Sequence, residues 1–149
     1  MKMASLLIVL LVCSGQMSTQ QKPSACTPQI KYEDHNQLPP DILSVSIVSG
    51  RTIDPGGANV PNVCLGLFTE DDHHLVAEAV SDKDGKFNFK DVPEGCYRLV
   101  AQYSVFCTAN VPIQVIKRVQ KKDKQRQIVL HMDIGTDTCS YGTYNKEGR

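Results

Sequence analysis

Ser81-Asp82-Lys83-Asp84-Gly85-Lys86-Phe87-Asn88-Phe89-Lys90-Asp91-Val92-Pro93-Glu94-Gly95-Cys96-Tyr97-Arg98-Leu99-Val100-Ala101 decides the fold of this chain. Asp84-Gly85 supplies the positive-φ position of a tight hairpin turn, and the Asp82 carboxylate can cap that turn. Lys86 to Phe89 then alternates, with both phenylalanines on one face and polar residues on the other. Pro93-Glu94-Gly95 makes the next turn, after which Tyr97, Leu99 and Ala101 share a face. The passage predicts a small antiparallel β-domain and contains no catalytic chemistry.

Strand signals continue on either side at short, regular intervals. Leu43 to Val48 places Leu43, Val45 and Ile47 on one face, and Asp54-Pro55-Gly56-Gly57 is a turn. Val60 to Phe68 follows, with Val63, Leu65 and Leu67 alternating, and Glu70 to His74 is a polar loop. Val76–Ser81, Lys86–Phe89, Tyr97–Tyr103, Val111–Ile116 and Gln127–Met132 bring the set to seven strands. Lys117 to Arg126 reads as a long hairpin loop, and no segment shows a helical stripe. The pattern predicts an all-β, seven-stranded Greek-key β-sandwich over residues 42–132. A domain of about 90 residues buries only about 60–65% of the surface its unfolded chain exposes, so cross-links would offset a small core.

The 149 residues leave room for one ordinary domain between two extensions. Residues 1–15 read as a secretory signal: Lys2 is the positive start, Leu6 to Val12 is apolar, and Cys13-Ser14-Gly15 puts small residues at the cleavage site. Seven apolar residues fall far short of the roughly 20 needed to span a bilayer, so the chain is not expected to be transmembrane. A lipid anchor at Cys13 is the alternative, but bulky Val12 before it favours plain secretion. Residues 16–41 are rich in Gln, Ser, Thr and Pro and read as a flexible spacer. Residues 133–149 lack a period and are expected to be a coil tail.

Without Cys13 five cysteines remain: Cys26, Cys64, Cys96, Cys107 and Cys139. Their wide spacing offers no CxxC pair and no run of zinc ligands. In an exported chain this points to disulfides, at most two with one thiol left over. The pairing stays open, although a bond from Cys139 back to the domain is physically sensible. Formal net charge is zero, which argues against bulk attraction to nucleic acid.

The order Gly50…Asp54-Pro55-x-Gly57-Ala58-x-Val60-Pro61-x-Val63-x-Leu65, then Ala79-Val80-Ser81-Asp82-x-Asp84-Gly85-x-Phe87-x-Phe89-x-x-Val92-Pro93-x-Gly95-x-Tyr97-x-Leu99-x-Ala101, resembles the carboxypeptidase regulatory-like domain. The resemblance covers residues 43–132. It implies a transthyretin-like (prealbumin-like) sandwich, related in shape to starch-binding-like modules. It further implies a scaffold without catalytic residues of its own, typically an accessory module of exported or surface proteins in bacteria. Thr52 stands where the family usually has a strand valine, and five cysteines exceed its norm.

Candidate sites are few. Glu70-Asp71-Asp72-His73-His74 joins carboxylates to two imidazoles and could attract a divalent metal. Adjacent side chains of an extended loop point apart, so a solvated hairpin tip is the simpler reading; His35 and His131 are distant in the chain. Asp82-Lys83-Asp84-Gly85 echoes a calcium loop but lacks the later ligands. Lys117, Arg118, Lys121, Lys122, Lys124 and Arg126 form a basic run that reads as a solvated loop, or as a contact for an anionic glycan, head group or acidic protein. Hydroxyisourate hydrolases share the sandwich and end in a Tyr-Arg-Gly-Ser-type tail. Here Cys139-Ser140-Tyr141-Gly142-Thr143-Tyr144 lacks the arginine, so that activity is not expected. A catalytic Cys–His pair finds no local feature that would lower a thiol pKa.

The expectation is therefore a secreted or periplasmic, non-enzymatic module without metal or cofactor. It would bind or support a protein or glycan of the cell envelope, and carbohydrate binding is the alternative.

Overall fold

The computed structural model describes residues 26–30, 41–118 and 126–145. The expected signal with Cys13, most of the spacer, His35 and the middle of the basic run lie outside the described residues. Among the described residues nine strands form two sheets. They are β1 (Leu43–Val45), β2 (Ser49–Ile53), β3 (Cys64–Thr69), β4 (Leu75–Val80), β5 (Lys86–Asn88), β6 (Gly95–Gln102), β7 (Ala109–Val115), β8 (Ile128–His131) and β9 (Tyr141–Tyr144). One sheet runs β1-β7-β6-β3-β4 and the other β5-β2-β8-β9. The all-β, two-sheet expectation agrees with this; the strand count is nine, not seven.

Both extra strands have a physical cause. The expected single strand Leu43–Val48 is interrupted after Val45, and Ile47 is 54% exposed whereas Val48 is buried. At that break the chain leaves one sheet for the other, so β1 and β2 are separate. The tail forms β9, antiparallel to β8, instead of the expected coil. Its alternation is invisible because the inward position next to Tyr144 is Gly142, whose Cβ would meet Val111 Cγ1 at 2.9 Å. Tyr144 reaches across to the other sheet: its hydroxyl accepts from Ser44 N at 2.5 Å and lies 3.1 Å from Ser44 O. That contact closes one side of the sandwich.

The loop after β7 also differs from expectation. β7 and β8 belong to different sheets, so Lys117 to Arg126 links the sheets and does not close a hairpin. β1 lies parallel to β7 and β2 parallel to β8. The consecutive strands β1 and β2 thus lie alongside β7 and β8, one pair in each sheet.

The core is the set of inward residues that alternation selects, including Val63, Leu65, Leu67, Phe87, Phe89, Tyr97, Leu99 and Ala101. Phe87 and Phe89 meet edge to face with centroids 6.3 Å apart. Each such large apolar side chain contributes roughly 1.5–3 kcal/mol on burial. Thr52 is fully buried among them. Its hydroxyl donates to Val60 O at 2.5 Å, and the Ser81 hydroxyl reaches the same carbonyl at 3.0 Å while accepting from Val63 N. A polar side chain in a valine position is therefore satisfied.

A short N-terminal strap, residues 26–30, lies on the outer face of the five-stranded sheet. Cys26 is bonded to Cys64 on β3, with Cα atoms 5.5 Å apart. Two residues on, Pro28 is buried over Gly66, where a Cβ would come within 2.5 Å of Pro28 Cγ. Only glycine leaves that notch open. Gln102 on β6 completes the attachment, accepting from Gln29 N at 3.0 Å and donating to Gln29 O at 2.8 Å.

Candidate functional site

Strand direction sorts the loops into two ends. One end gathers Asp54 to Val63, the turn at Ser81–Gly85, Tyr103 to Thr108 and the segment from Asp133 to Ser140. A cleft of about 580 Å³ opens there, lined by Asn62, Cys64, Gln102, Tyr103, Ser104, Phe106, Thr108, Gly135 and Thr136. That volume falls within the range of small-ligand sites, about 300–1,000 Å³. Its floor consists of Cys64, Gln102 and Thr108 from β3, β6 and the start of β7. Its walls are the β6–β7 loop and the segment that follows β8.

Disulfides hold both sides. Cys64, part of the floor, carries the strap, and Cys107 is joined to Cys139 with Cα atoms 5.3 Å apart. The second bond closes the segment containing Gly135 and Thr136 against the β6–β7 loop. Backbone bonds from Cys107 N to Asp133 O and Thr108 N to Asp137 O fix the same seam at 2.7 and 2.8 Å. The Ser140 hydroxyl, buried, accepts from Asp133 N at 2.9 Å and donates to Cys107 O at 2.8 Å. Tyr103 and Phe106 stack at 6.0 Å on one wall, and Tyr103 is 37% exposed. No Asp, Glu, Lys, Arg or His lines the cleft. Tyr103 is the lining residue whose hydroxyl could exchange a proton.

The opposite end carries the Glu70–His74 cluster singled out in the sequence. Glu70 forms a forked ion pair with Arg98, at 2.8 and 2.9 Å. Asp72 is used within the loop: its carboxylate accepts from the Thr69 hydroxyl and from His74 N. The Thr69 hydrogen bond, then that from His74, holds the Asp72 pKa below its ordinary value. His73 sits at φ 53°, which turns it out of line with His74. Among the described residues no three His, Cys, Asp or Glu side chains gather as a metal cage. His131 lies elsewhere, on β8 in the other sheet, stacked on Tyr141 at 4.6 Å and 3.0 Å from the Thr143 hydroxyl. Burial lowers its pKa.

The Asp82–Gly85 turn is consumed by its own backbone. Asp82 Oδ1 accepts from both Asp84 N and Lys86 N at 2.9 Å, and the Lys86 bond leads in lowering its pKa. Gly85, at φ 71°, could not be replaced without strain, since a Cβ would also meet Thr52 O at 2.7 Å. Of the five domain cysteines, four are paired and Cys96 is a free, exposed thiol on β6. Of the basic run, only Lys117, Arg118 and Arg126 are described, with Arg126 4.9 Å from the Tyr144 ring centre.

Apart from Cys64, the cleft residues went unnoticed in the sequence because most sit in loops and they follow no motif. The one available hint was Tyr103-Ser104-Val105-Phe106-Cys107-Thr108, where two aromatics and two hydroxyls surround a cysteine.

The fold agrees with a comparison against known families. The model of the carboxypeptidase regulatory-like domain matches residues 47–130, and the chain belongs to that family. No curated protein matches it. Among solved structures it is similar to a Klebsiella pneumoniae 5-hydroxyisourate hydrolase, at 18% identity over 68% of this chain and 100% of that one, with a TM-score of 0.48. It is also similar to an (S)-allantoin synthase, at 14% identity over 71% of this chain and 45% of that one, TM-score 0.45. A 3-chlorocatechol 1,2-dioxygenase from Rhodococcus opacus 1CP gives 10% identity over 73% and 70%, TM-score 0.38. Two disulfides point to an oxidising, extracytoplasmic setting. No helix of the described residues is long and apolar enough to cross a membrane.

Proposed function

We propose that this chain is a secreted, non-enzymatic β-sandwich module that binds or structurally supports components of the cell envelope through the loops at one end. The observation that carries this reading is the cleft framed by two disulfides and lined by no acidic, basic or imidazole side chain. Groups able to do chemistry elsewhere are largely engaged in holding loops: Glu70 by Arg98, Asp82 by its turn, Ser140 by the Cys107 seam. A variant combining Cys96→Ala, His73→Ala and His131→Ala tests it. The variant is expected to bind envelope fractions as the native chain does. Turnover of an ester, amide or hydroxyisourate substrate by the native chain, lost in the variant, would refute the non-enzymatic role.

Carbohydrate recognition is a second reading, favoured by the paired aromatics and neutral amides and hydroxyls of the cleft. Electrophoresis through gels containing polysaccharides tests it, retardation being the expected result. A metal-binding role at His73 and His74 is the weakest reading, and metal analysis of the purified chain with and without His73→Ala decides it.

A further inference from the structure

We infer that the cleft between Tyr103–Thr108 and Gly135–Thr136 is a binding site for a neutral, uncharged saccharide, with Tyr103 as its stacking platform; this rests on the carbohydrate reading above. Three observations converge on that ligand. First, the chemistry of the lining is that of polyol recognition. Asn62, Ser104 and Thr136 all face solvent and offer an amide and two hydroxyls, while Tyr103 and Phe106 supply flat apolar surface. Such rings combine apolar contact with a polar edge, as the C–H faces and hydroxyl rims of a sugar require. Secondly, no lining side chain carries a formal charge, so nothing compensates the carboxylate of a uronic acid or a sulfate group.

Thirdly, the strand positions disfavour a peptide. β3, β6 and β7 are all interior strands, each paired on both sides. The cleft floor therefore presents no free ladder of N–H and C=O groups for an added strand. Gln102 is part of the floor and not a ligand donor, because its amide is already clamped to the Gln29 backbone. The Cys107–Cys139 disulfide holds the two walls together before a ligand arrives, which reduces the ordering cost of binding.

The grooves elsewhere lack this combination. The groove of about 730 Å³ between the exposed strands β4 and β5 is lined by Arg51, Asp82 and Lys86.

The test uses the purified, oxidised full-length chain and its Tyr103→Ala variant in gels containing a neutral β-glucan, a neutral α-glucan, a mannan or polygalacturonate. Tyr103 is a surface residue, so the variant is expected to keep the native far-UV circular dichroism spectrum. At least one neutral polymer is expected to retard the native chain, polygalacturonate is not, and Tyr103→Ala is expected to weaken retention about five- to tenfold. An Asn62→Ala variant should weaken it about two- to fivefold. Retention by a neutral polymer that Tyr103→Ala leaves unchanged would overturn the site while the carbohydrate reading stands. Retention on polygalacturonate alone would overturn the neutral-ligand assignment. No retention on any polymer would overturn both, as would binding only to an extended peptide array.

Discussion

The two ends of this sandwich are secured by different physics. At the cleft end, the disulfides Cys26–Cys64 and Cys107–Cys139 and the buried hydroxyls of Thr52, Ser81 and Ser140 hold the loops. At the other end the loops rely on charge: Glu70 with Arg98, Asp72 within its own loop, and Glu94 Oε1 accepting from Lys117 N at 2.6 Å. Covalent bonds and buried hydrogen bonds are little affected by salt, whereas exposed ion pairs are screened by it. The difference teaches where a preformed site can be kept. The cleft lies at the end less sensitive to salt.

The strongest way to break this contrast is to remove the bond that closes the cleft wall. Cys107→Ser with Cys139→Ser is expected to cost about 2–4 kcal/mol in urea unfolding. Hydrogen exchange should rise in Tyr103–Thr108 and Asp133–Ser140 while Glu70–His74 keeps its protection. Equal loosening at both ends would show that they are not separately secured. Alkylation without reduction sharpens the same point, since within residues 26–145 only Cys96 should react.

Gly66→Val attacks the strap. Its side chain must displace Pro28 and Phe68 Cε2, which a Cβ would meet at 2.5 and 2.8 Å, and overpacking of this kind costs about 1–3 kcal/mol. Protease cleavage near residues 26–30 should then accelerate; unchanged cleavage would mean that the notch does not seat the strap. Thr52→Val is milder, about 0.5–1.5 kcal/mol, because Val60 O keeps the Ser81 hydroxyl. At the charged end Arg98→Ala should cost less than about 1 kcal/mol at low salt and nearly nothing at high salt. A salt-independent loss there would contradict the contrast.

Acid gives the smallest effect, and it reaches both ends. Asp72 and Asp82 have folded pKa values below their unfolded ones, so folding releases protons from them. Their stabilisation is present above the unfolded carboxylate pKa and is lost as pH falls through the depressed folded value. His131, also lowered, adds a loss in a higher window, beginning as pH drops below its ordinary value of 6.5. His131→Gln should flatten the stability profile between neutrality and weak acid, and Asp82→Asn only in stronger acid. Identical profiles for all three proteins would remove both assignments.

Much of the fold was legible because burial and alternation coincide in its middle strands. Phe87, Phe89, Tyr97 and Leu99 face the core as their spacing requires, and Asp82 caps its turn through the expected carboxylate. The break at Ile47 and the strand Tyr141–Tyr144 were not legible, for opposite reasons. Ile47 is apolar but turned outward as the chain changes sheets, and Gly142 is inward without being apolar. A pattern of hydrophobicity misreads both. The candidate site was hardly legible at all, since its residues come from three separate loops and the ends of two strands.

Local chemistry along the chain was sufficient for the all-β class, the turns and the count of cysteines open to pairing, since each depends on neighbours a few residues apart. Which cysteines meet, which strands lie parallel and where a cleft opens were decided only in three dimensions. Those features bring together residues as distant as Gln29 and Gln102, or Ser44 and Tyr144. The physical reason is that such contacts form when two sheets close on a shared core, and nothing in the local sequence encodes the partner on the far side.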